Sequence, residues 1–494
     1  MHQAGGRRRG RIRQTISFAI VAMTMGACGS GRTDHAASAA TLSIGVAQLS
    51  STSPIAGLRQ LSPLLVLEGL ARAGDDGRMQ PWLADSWASN DQGRAIVVQL
   101  KRGIKFQDGS PFDAVEAARI LPDILRSFMG PVFDDVAGVK AGEANTITIE
   151  LRRPSPFAME ALEASIRKPG GSTVGTGPFM VEGDSTTELH ANNSYYLGPP
   201  AINRVTVANY PSVRTAWAEM LRDRLDMLWE VGIDALDSMK DSSTISLFTY
   251  TRHYQHIMVF NTSAPPLRSA AVRRALNLAI DRTGVVREAL RGYGVPSTGP
   301  LNPRYWALAG KLVRPLFDPE QVAAALPKEA VRFTCLVAPD SVDERLALEV
   351  KRQLAAVGVE MTVQEAARDE IVRRGASRQY EAAITEVISG PTAFRPYLIW
   401  HSEGPLNWGH FGTPALDVAF DRIRRAPDEQ EFRSAVDSLQ QVFIDDPPAI
   451  LLAWSVRARA ISKRFDVQAE EGRDVLSTVR FWKPSTVQRQ ASRN

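Results

Sequence analysis

The 494-residue chain has two cysteines, Cys28 and Cys335, so no disulfide framework organises it. Beyond residues 1–27 it has no uninterrupted apolar run approaching the ~20 residues that a membrane-spanning helix needs. It also lacks a P-loop, a G-x-S-x-G elbow, an H-E-x-x-H pair and paired C-x-x-C spacings, which removes the best-defined nucleotide, hydrolase and metal signatures. Gly175-Thr176-Gly177 holds the first two glycines of a dinucleotide fingerprint, but Pro178 follows and the third glycine is missing. No internal repeat of fixed period occurs, and no low-complexity block apart from one short polar spacer.

What is present is ordinary globular composition, with 44% hydrophobic and 23% charged residues. At roughly 150 residues per domain the length suits about three domains or one large composite body. The pI near 9.0 is misleading. Residues 1–27 contain Arg7, Arg8, Arg9, Arg11 and Arg13 and no acid; without these five, the 58 basic residues fall one below the 54 acidic ones. A polyanion partner such as nucleic acid therefore loses its support.

Those first residues read as a processing segment. A basic start precedes an apolar run, Ile16 to Met25, interrupted by Ser17 and Thr24, and then Gly26-Ala27-Cys28. Met25-Gly26-Ala27-Cys28 resembles the bacterial lipobox, in which the cysteine is lipidated and becomes the first mature residue; the alternative is an ordinary secretory signal with a chance cysteine. With Cys28 acylated no intramolecular disulfide remains, and a body this large has core enough without one. Cys335, inside the apolar stretch Val331 to Val337, is expected to be a small buried hydrophobe. Residues 29–40 are small and polar, as a flexible spacer would be.

Strand patterns follow. Ile96, Val98 and Leu100 alternate with polar or smaller neighbours, as do Ile147, Ile149 and Leu151. Asp76-Gly77 and Asp108-Gly109 supply turns. Ser110-Pro111, with Asp113 and Glu116 behind, predicts a helix start. Further on, strand Val331 to Val337, a helix opened by Ser341 and Glu344 with Leu346, Val350, Leu354 and Val357 on one face, Gly358, and strand Val359 to Val363 form a strand–helix–strand unit of a mostly parallel sheet. Helices capped by Thr413-Pro414 and by Asp428 with Glu431 come next. Pro447-Pro448 then stops the chain before an apolar strand, Ala449 to Trp454.

Chemistry-bearing clusters are sparse. His253 and His256 lie three apart, which on a strand points them to opposite faces and not to a shared metal. Asp134-Asp135 and Asp445-Asp446 stand beside element ends, where solvated carboxylates are expected.

In order and at matching intervals, several segments resemble one family. They are Leu67-Glu68-Gly69-Leu70; Pro81 to Trp87; Leu100 to Phe112; Gly175-Thr176-Gly177-Pro178-Phe179; Asn192-Asn193-Ser194-Tyr195-Tyr196; Asn261-Thr262 with Pro265-Pro266; Val272-Arg273-Arg274-Ala275-Leu276; and Ala279-Ile280-Asp281-Arg282. Arg224-Leu225-Asp226 follows the family's Gly-x-Asp segment with arginine in place of glycine. Together they are similar to the family 5 extracellular solute-binding proteins of bacterial ABC importers, the dipeptide, oligopeptide and nickel type. These motifs identify the fold rather than the site.

The resemblance implies an α/β, two-lobed periplasmic-binding-protein-like fold of the large three-subdomain type, with a hinge and an interlobe ligand cleft. Residues 1–27 would be a lipoprotein signal peptide and 28–40 a tether. Residues 41–60, 170–260 and 452–494 would form a discontinuous first lobe, 61–169 an inserted subdomain, and 261–451 the second lobe. Crossing strands near 251–260 and 452–456 would hinge the lobes. The implied activity is capture and not catalysis, with no cofactor and no resident metal. The implied partners are a peptide-like or other small ligand, an ABC permease and ATPase, and the membrane through a lipid on Cys28, in the cell envelope, as a monomer. An envelope regulator or scaffold of the same fold, or a binder of a metal chelate, is the alternative; a metal-dependent hydrolase would need metal at His401 and His410.

Candidate ligand residues are Arg252, His253, Tyr254 and His256 on the segment entering the hinge, and Arg395, Trp400, His401, Trp408 and His410 on the loop from Val387 to His410. Peptide-binding relatives commonly carry an aspartate near Val387 to Thr392 for the peptide α-amino group. Here Val387 to Ser402 contains no acid, and Glu386 lies just outside. A buried ammonium needs a partner charge, so arginine and aromatics favour an anionic, acylated or aromatic cargo.

Overall fold

The computed structural model describes residues 40–47, 55–183, 185–308, 317–470 and 473–485; Cys28 and the signal segment lie outside them. The central sheet is built largely from strands buried on both faces, such as Met227–Val231 and Ala449–Ser462. Its spatial order is Glu360–Glu365, Arg332–Val337, Ala382–Ile388, Ile245–Phe260, Ala449–Ser462, Met227–Val231, Thr41–Ala47, Arg204–Tyr210, Glu188–Ala191 and Phe179–Met180, with Gly294–Pro296 paired to Ala449–Ser462. The strand expected to end at Trp454 thus runs on to Ser462.

The two longest strands lie side by side at the centre of this sheet. Ile245–Phe260 and Ala449–Ser462 run antiparallel. At one end Ala449–Ser462 pairs with Met227–Val231, and at the other Ile245–Phe260 pairs with Ala382–Ile388. In the second lobe Arg332–Val337 and Glu360–Glu365 are parallel, bridged by helix Ser341–Ala355 with Leu346, Val350 and Leu354 fully buried. Gly358 takes φ +82° at the turn between them. Cys335 is fully buried in that core.

A separate four-stranded antiparallel sheet, Ala84–Asn90, Ala95–Leu100, Thr146–Leu151 and Val136–Ala141 in spatial order, occupies the inserted segment with helix Ala114–Met129. Its core is continuous with that of helices Phe394–Trp400, Pro414–Arg424 and Glu429–Asp445. Phe128 stacks on Phe394 at 5.5 Å and Phe157 meets Tyr397 at 5.2 Å. Asp135 and Arg424 join the same two regions.

Two helix starts differ from expectation by a few residues. Asp113, not Ser110, caps Ala114–Met129, accepting from the Val115 and Glu116 N–H groups at 3.0 Å, because Ser110 is drawn into a turn by Asp108. Asp340, not Ser341, caps the next, while the Ser341 hydroxyl donates to Asp234. Thr413 and Asp428 cap their helices as their sequences predict. Gly175 and Gly177 serve close packing: a Cβ on either would fall 2.5 to 2.6 Å from the Val66 carbonyl oxygen.

Candidate functional site

Pairing between the two long strands is interrupted between Thr251 and Gln255. His253 and Tyr254 lie at that interruption and line a cleft of about 550 Å³. Its walls come from every part of the body. Trp229 and Arg459 come from strands Met227–Val231 and Ala449–Ser462; Glu68, Arg72, Trp82 and Glu163 from the segment between residues 68 and 163; Gly390 and Arg395 from the start of helix Phe394–Trp400 and the loop before it; and Asp474 and Arg480 from the C-terminal stretch.

One wall is an arginine–aromatic shelf. The Trp82 ring has the Arg72 guanidinium at 4.2 Å and that of Arg480 at 5.0 Å. Its indole N–H donates to Glu68 at 2.9 Å, and Glu68 also accepts from the Tyr195 hydroxyl at 2.7 Å and from Thr176 at 2.8 Å. Burial raises the Glu68 pKa, against the pull of these hydrogen bonds. Burial, with the cations of Arg473 and Arg480 nearby, lowers that of Arg72. Opposite, Arg459 lies 3.5 Å over Trp229 and is held by Asp474 at 2.6 Å.

The second charged feature is Glu163, half-buried at the cleft wall. Burial, reinforced by the neighbouring Glu160 carboxylate and opposed by Arg395, pushes its pKa up to about 7. Glu160 itself accepts from the Phe394 N–H at 2.8 Å and from the Tyr305 hydroxyl at 3.2 Å, and burial raises it to about 7. Among the described residues no group of three or more His, Cys, Asp or Glu side chains is placed to hold a metal ion.

The cleft thus gathers arginines, carboxylates and aromatic rings from distant parts of the chain around one space. Residues 78–405 match the model for the middle region of the bacterial extracellular solute-binding proteins, family 5. The chain belongs to this family.

This family 5 protein is 27% identical to Protein XP55 of Streptomyces lividans, over 86% of this chain and 85% of that one. Among solved structures it resembles the ABC transporter substrate binding protein CtaP of Listeria monocytogenes, with a TM-score of 0.78 at 19% identity, covering 90% of this chain and 99% of CtaP. It also resembles NikZ of Campylobacter jejuni, solved in complex with Ni(L-His), with a TM-score of 0.74 at 20% identity and coverage of 90% and 99%. At these identities the structures establish the shared two-lobed fold.

Of the residues expected at the ligand, His253, Tyr254 and Arg395 line the cleft of this family 5 protein. The side chain of Arg252 lies outside the description. The structure places the others outside the lining of this cleft. His256 is buried, 3.0 Å from the Ser455 hydroxyl, and burial lowers its pKa. Glu386, the acid closest to the expected peptide-binding region, is tied to Arg457 and Ser455.

Trp400 is fully buried, edge-on to Phe443 at 5.3 Å. His401 stacks on Tyr397 at 4.6 Å, and its Nδ1 accepts from the Glu403 N–H. Trp408 packs against Phe411 at 5.0 Å, and exposed His410 holds the Ala376 carbonyl at 3.1 Å from its Nε2. Trp400 and Trp408 pack into the core shared with helices Pro414–Arg424 and Glu429–Asp445, because helix Phe394–Trp400, which already contains Arg395, carries the following segment away from the cleft lining.

Sequence reasoning missed Glu68, Trp82 and Tyr195 as cleft residues although all three sit inside the motifs that carry the resemblance. Asp135, expected to be solvated, is fully buried instead, because Arg424, Arg153 and Ser155 converge on it.

Proposed function

We propose that this family 5 protein captures a small solute between its lobes and hands it to the permease of an ABC importer. The observation that carries this reading is the cleft itself. Its volume of about 550 Å³ lies within the roughly 300–1,000 Å³ of small-molecule sites, and its walls are drawn from both lobes and the inserted segment. A ligand touching all of them favours the closed arrangement over any open one, and only such differential contact shifts the balance between states.

In this reading residues 41–60, 170–260 and 452–494 act as one lobe, 61–169 as an insertion and 261–451 as the second lobe, with the paired long strands as the hinge. Processing at Cys28 leaves a lipid-anchored monomer at the cell envelope, and the polar residues after it act as a tether. The function is binding, without a catalytic step. The name of CtaP, an ABC transporter substrate binding protein, supports delivery to a permease, and the spacing of Met25-Gly26-Ala27-Cys28 supports the anchor.

Native mass spectrometry of leaderless protein, followed by a thermal-shift screen of peptides, amino acids, sugars, anions and metal chelates, tests the reading. A true ligand at a hundredfold excess over its Kd stabilises the native state by about 2.7 kcal/mol. A co-purified or stabilising solute is expected. No binder in any chemical class would overturn capture.

A further inference from the structure

The cleft's charges can be accounted for almost completely. Arg459 is held by Asp474. Arg72 and Arg473 share Glu470, at 3.7 and 3.4 Å. Asp75 pairs with Arg304, Glu68 accepts from Trp82, Thr176, Tyr195 and Tyr196, and Arg480 donates to the Tyr195 hydroxyl at 3.2 Å. Two charged side chains remain, Glu163 and Arg395. Neither forms a hydrogen bond, or an ion pair within 4 Å, with any described residue, and the only interaction of either with another charge is at longer range. Half-buried charges left this way carry a desolvation cost that their long-range attraction to each other offsets only in part.

Their separation is built in. Glu163 comes from the inserted segment and Arg395 from the second lobe. Three residues before Glu163, Glu160 reaches across to accept from the N–H of Phe394, the residue just before Arg395, at 2.8 Å. That bond sets the two walls in register. The glycines beside each charge fit the same purpose. Gly390 has φ +68°, its N–H donates to the His253 carbonyl, and a Cβ there would stand 2.9 Å from Arg395 Cγ. On the other wall a Cβ at Gly69 would come 2.8 Å from the Glu163 carbonyl oxygen. Each glycine lets the chain carrying a charge approach the cleft.

We propose that Glu163 and Arg395 form a dipolar slot for a zwitterionic head group, with Glu163 accepting from the cargo's ammonium and Arg395 donating to its carboxylate. This deepens, and rests on, the reading of the cleft as a solute-binding site. The acid absent from Val387 to Ser402 is thus supplied from the opposite wall, with the cation on the second lobe. An α-amino-carboxylate head places both charges on one carbon, within the reach of a single pair of facing residues. The rest of the cargo extends toward the Trp82 shelf. Bridging the inserted segment to the second lobe, such a head satisfies both orphaned charges in one step and holds the lobes closed.

The test uses the twenty L-amino acids and a set of γ-glutamyl dipeptides, all with a free α-amino-carboxylate head, in the thermal-shift assay beside blocked peptides, sugars and inorganic anions. The best binder is then titrated calorimetrically against its des-amino analogue and its carboxamide. The expected result is an amino-acid-headed binder whose affinity falls about ten- to a hundredfold on loss of either group, the range for a hydrogen-bonded charge. Glu163→Gln should weaken the parent by a similar factor and leave the des-amino analogue within about twofold; Arg395→Gln should do the converse with the carboxamide. Binding of another class alone would overturn the zwitterion slot and leave capture intact. Equal affinity for parent and analogues in the unaltered protein would overturn it without reliance on the folding of any variant. No binder in any class would remove both proposals.

Discussion

Truncating Asp135 to alanine should be among the most damaging single changes in the molecule, although it lies outside the lining of the cleft. Asp135 is fully buried and receives both arms of Arg424, at 2.7 and 2.9 Å, along with Ser155 at 3.0 Å and Arg153. Without the carboxylate, Arg424 keeps only the Tyr397 hydroxyl at 3.0 Å and stands as a buried cation with no counter-charge. Breaking a buried pair from one side costs roughly 3–5 kcal/mol. The loss falls at the junction of the inserted segment and the second lobe, so it should loosen that junction before the central sheet.

Urea unfolding followed by tryptophan fluorescence measures this, because Trp400 and Trp408 report on the second-lobe side. Asp135→Asn, which keeps the shape but removes the counter-charge and turns one acceptor into a donor facing the guanidinium, should lose a comparable amount, about 3 kcal/mol. The double change Asp135→Leu with Arg424→Met removes both charges and should recover most of the loss, since an apolar replacement of a buried pair is close to neutral. Stability of Asp135→Ala within 1 kcal/mol of the parent, or a double variant losing the sum of the single losses, would refute the reasoning.

Two further outcomes follow from the buried titratable groups. The Glu160 carboxyl, held at about 7 by burial against hydrogen bonds from Thr392, Phe394, Ala393 and Tyr305, has a folded pKa above its unfolded one. Its stabilising contribution is therefore full below about pH 4.5 and lost as pH rises through 7. Glu160→Gln should flatten the decline in urea midpoint between pH 5 and 8, and also ease Glu163, which feels the Glu160 charge; an unchanged slope would contradict this. Cys335, fully buried with its thiol pushed up to about 12, should resist a thiol reagent at pH 8 until the protein unfolds, and stoichiometric labelling of folded leaderless protein carrying Cys28→Ser would count against that placement.

What the sequence determined by itself is what depends on near neighbours. Alternation at Ile96, Val98 and Leu100 and at Ile147, Ile149 and Leu151 marks strands that the structure contains. Thr413 and Asp428 mark their helices because a cap acts within a single turn. The strand–helix–strand unit from Val331 to Val363 and the ordered motifs of the family are legible for the same reason. Where two caps compete within a few positions, as Ser110 with Asp113 and Ser341 with Asp340, only the packed chain decides, because the losing side chain is claimed by a partner such as Asp108 or the distant Asp234.

The tertiary structure alone decided the cleft. Trp400 and His401 carry the composition of a binding loop, yet their helix turns them into the second-lobe core. Asp135 has the sequence of a solvated turn and the environment of a core anchor, because Arg424 arrives from 289 residues away. Glu68, Glu163, His253, Arg395 and Arg459 meet around one space only when three parts of the chain fold together. Periodicity records which side of an element is buried, but nothing within a turn or a strand records which distant side chain will stand across the gap.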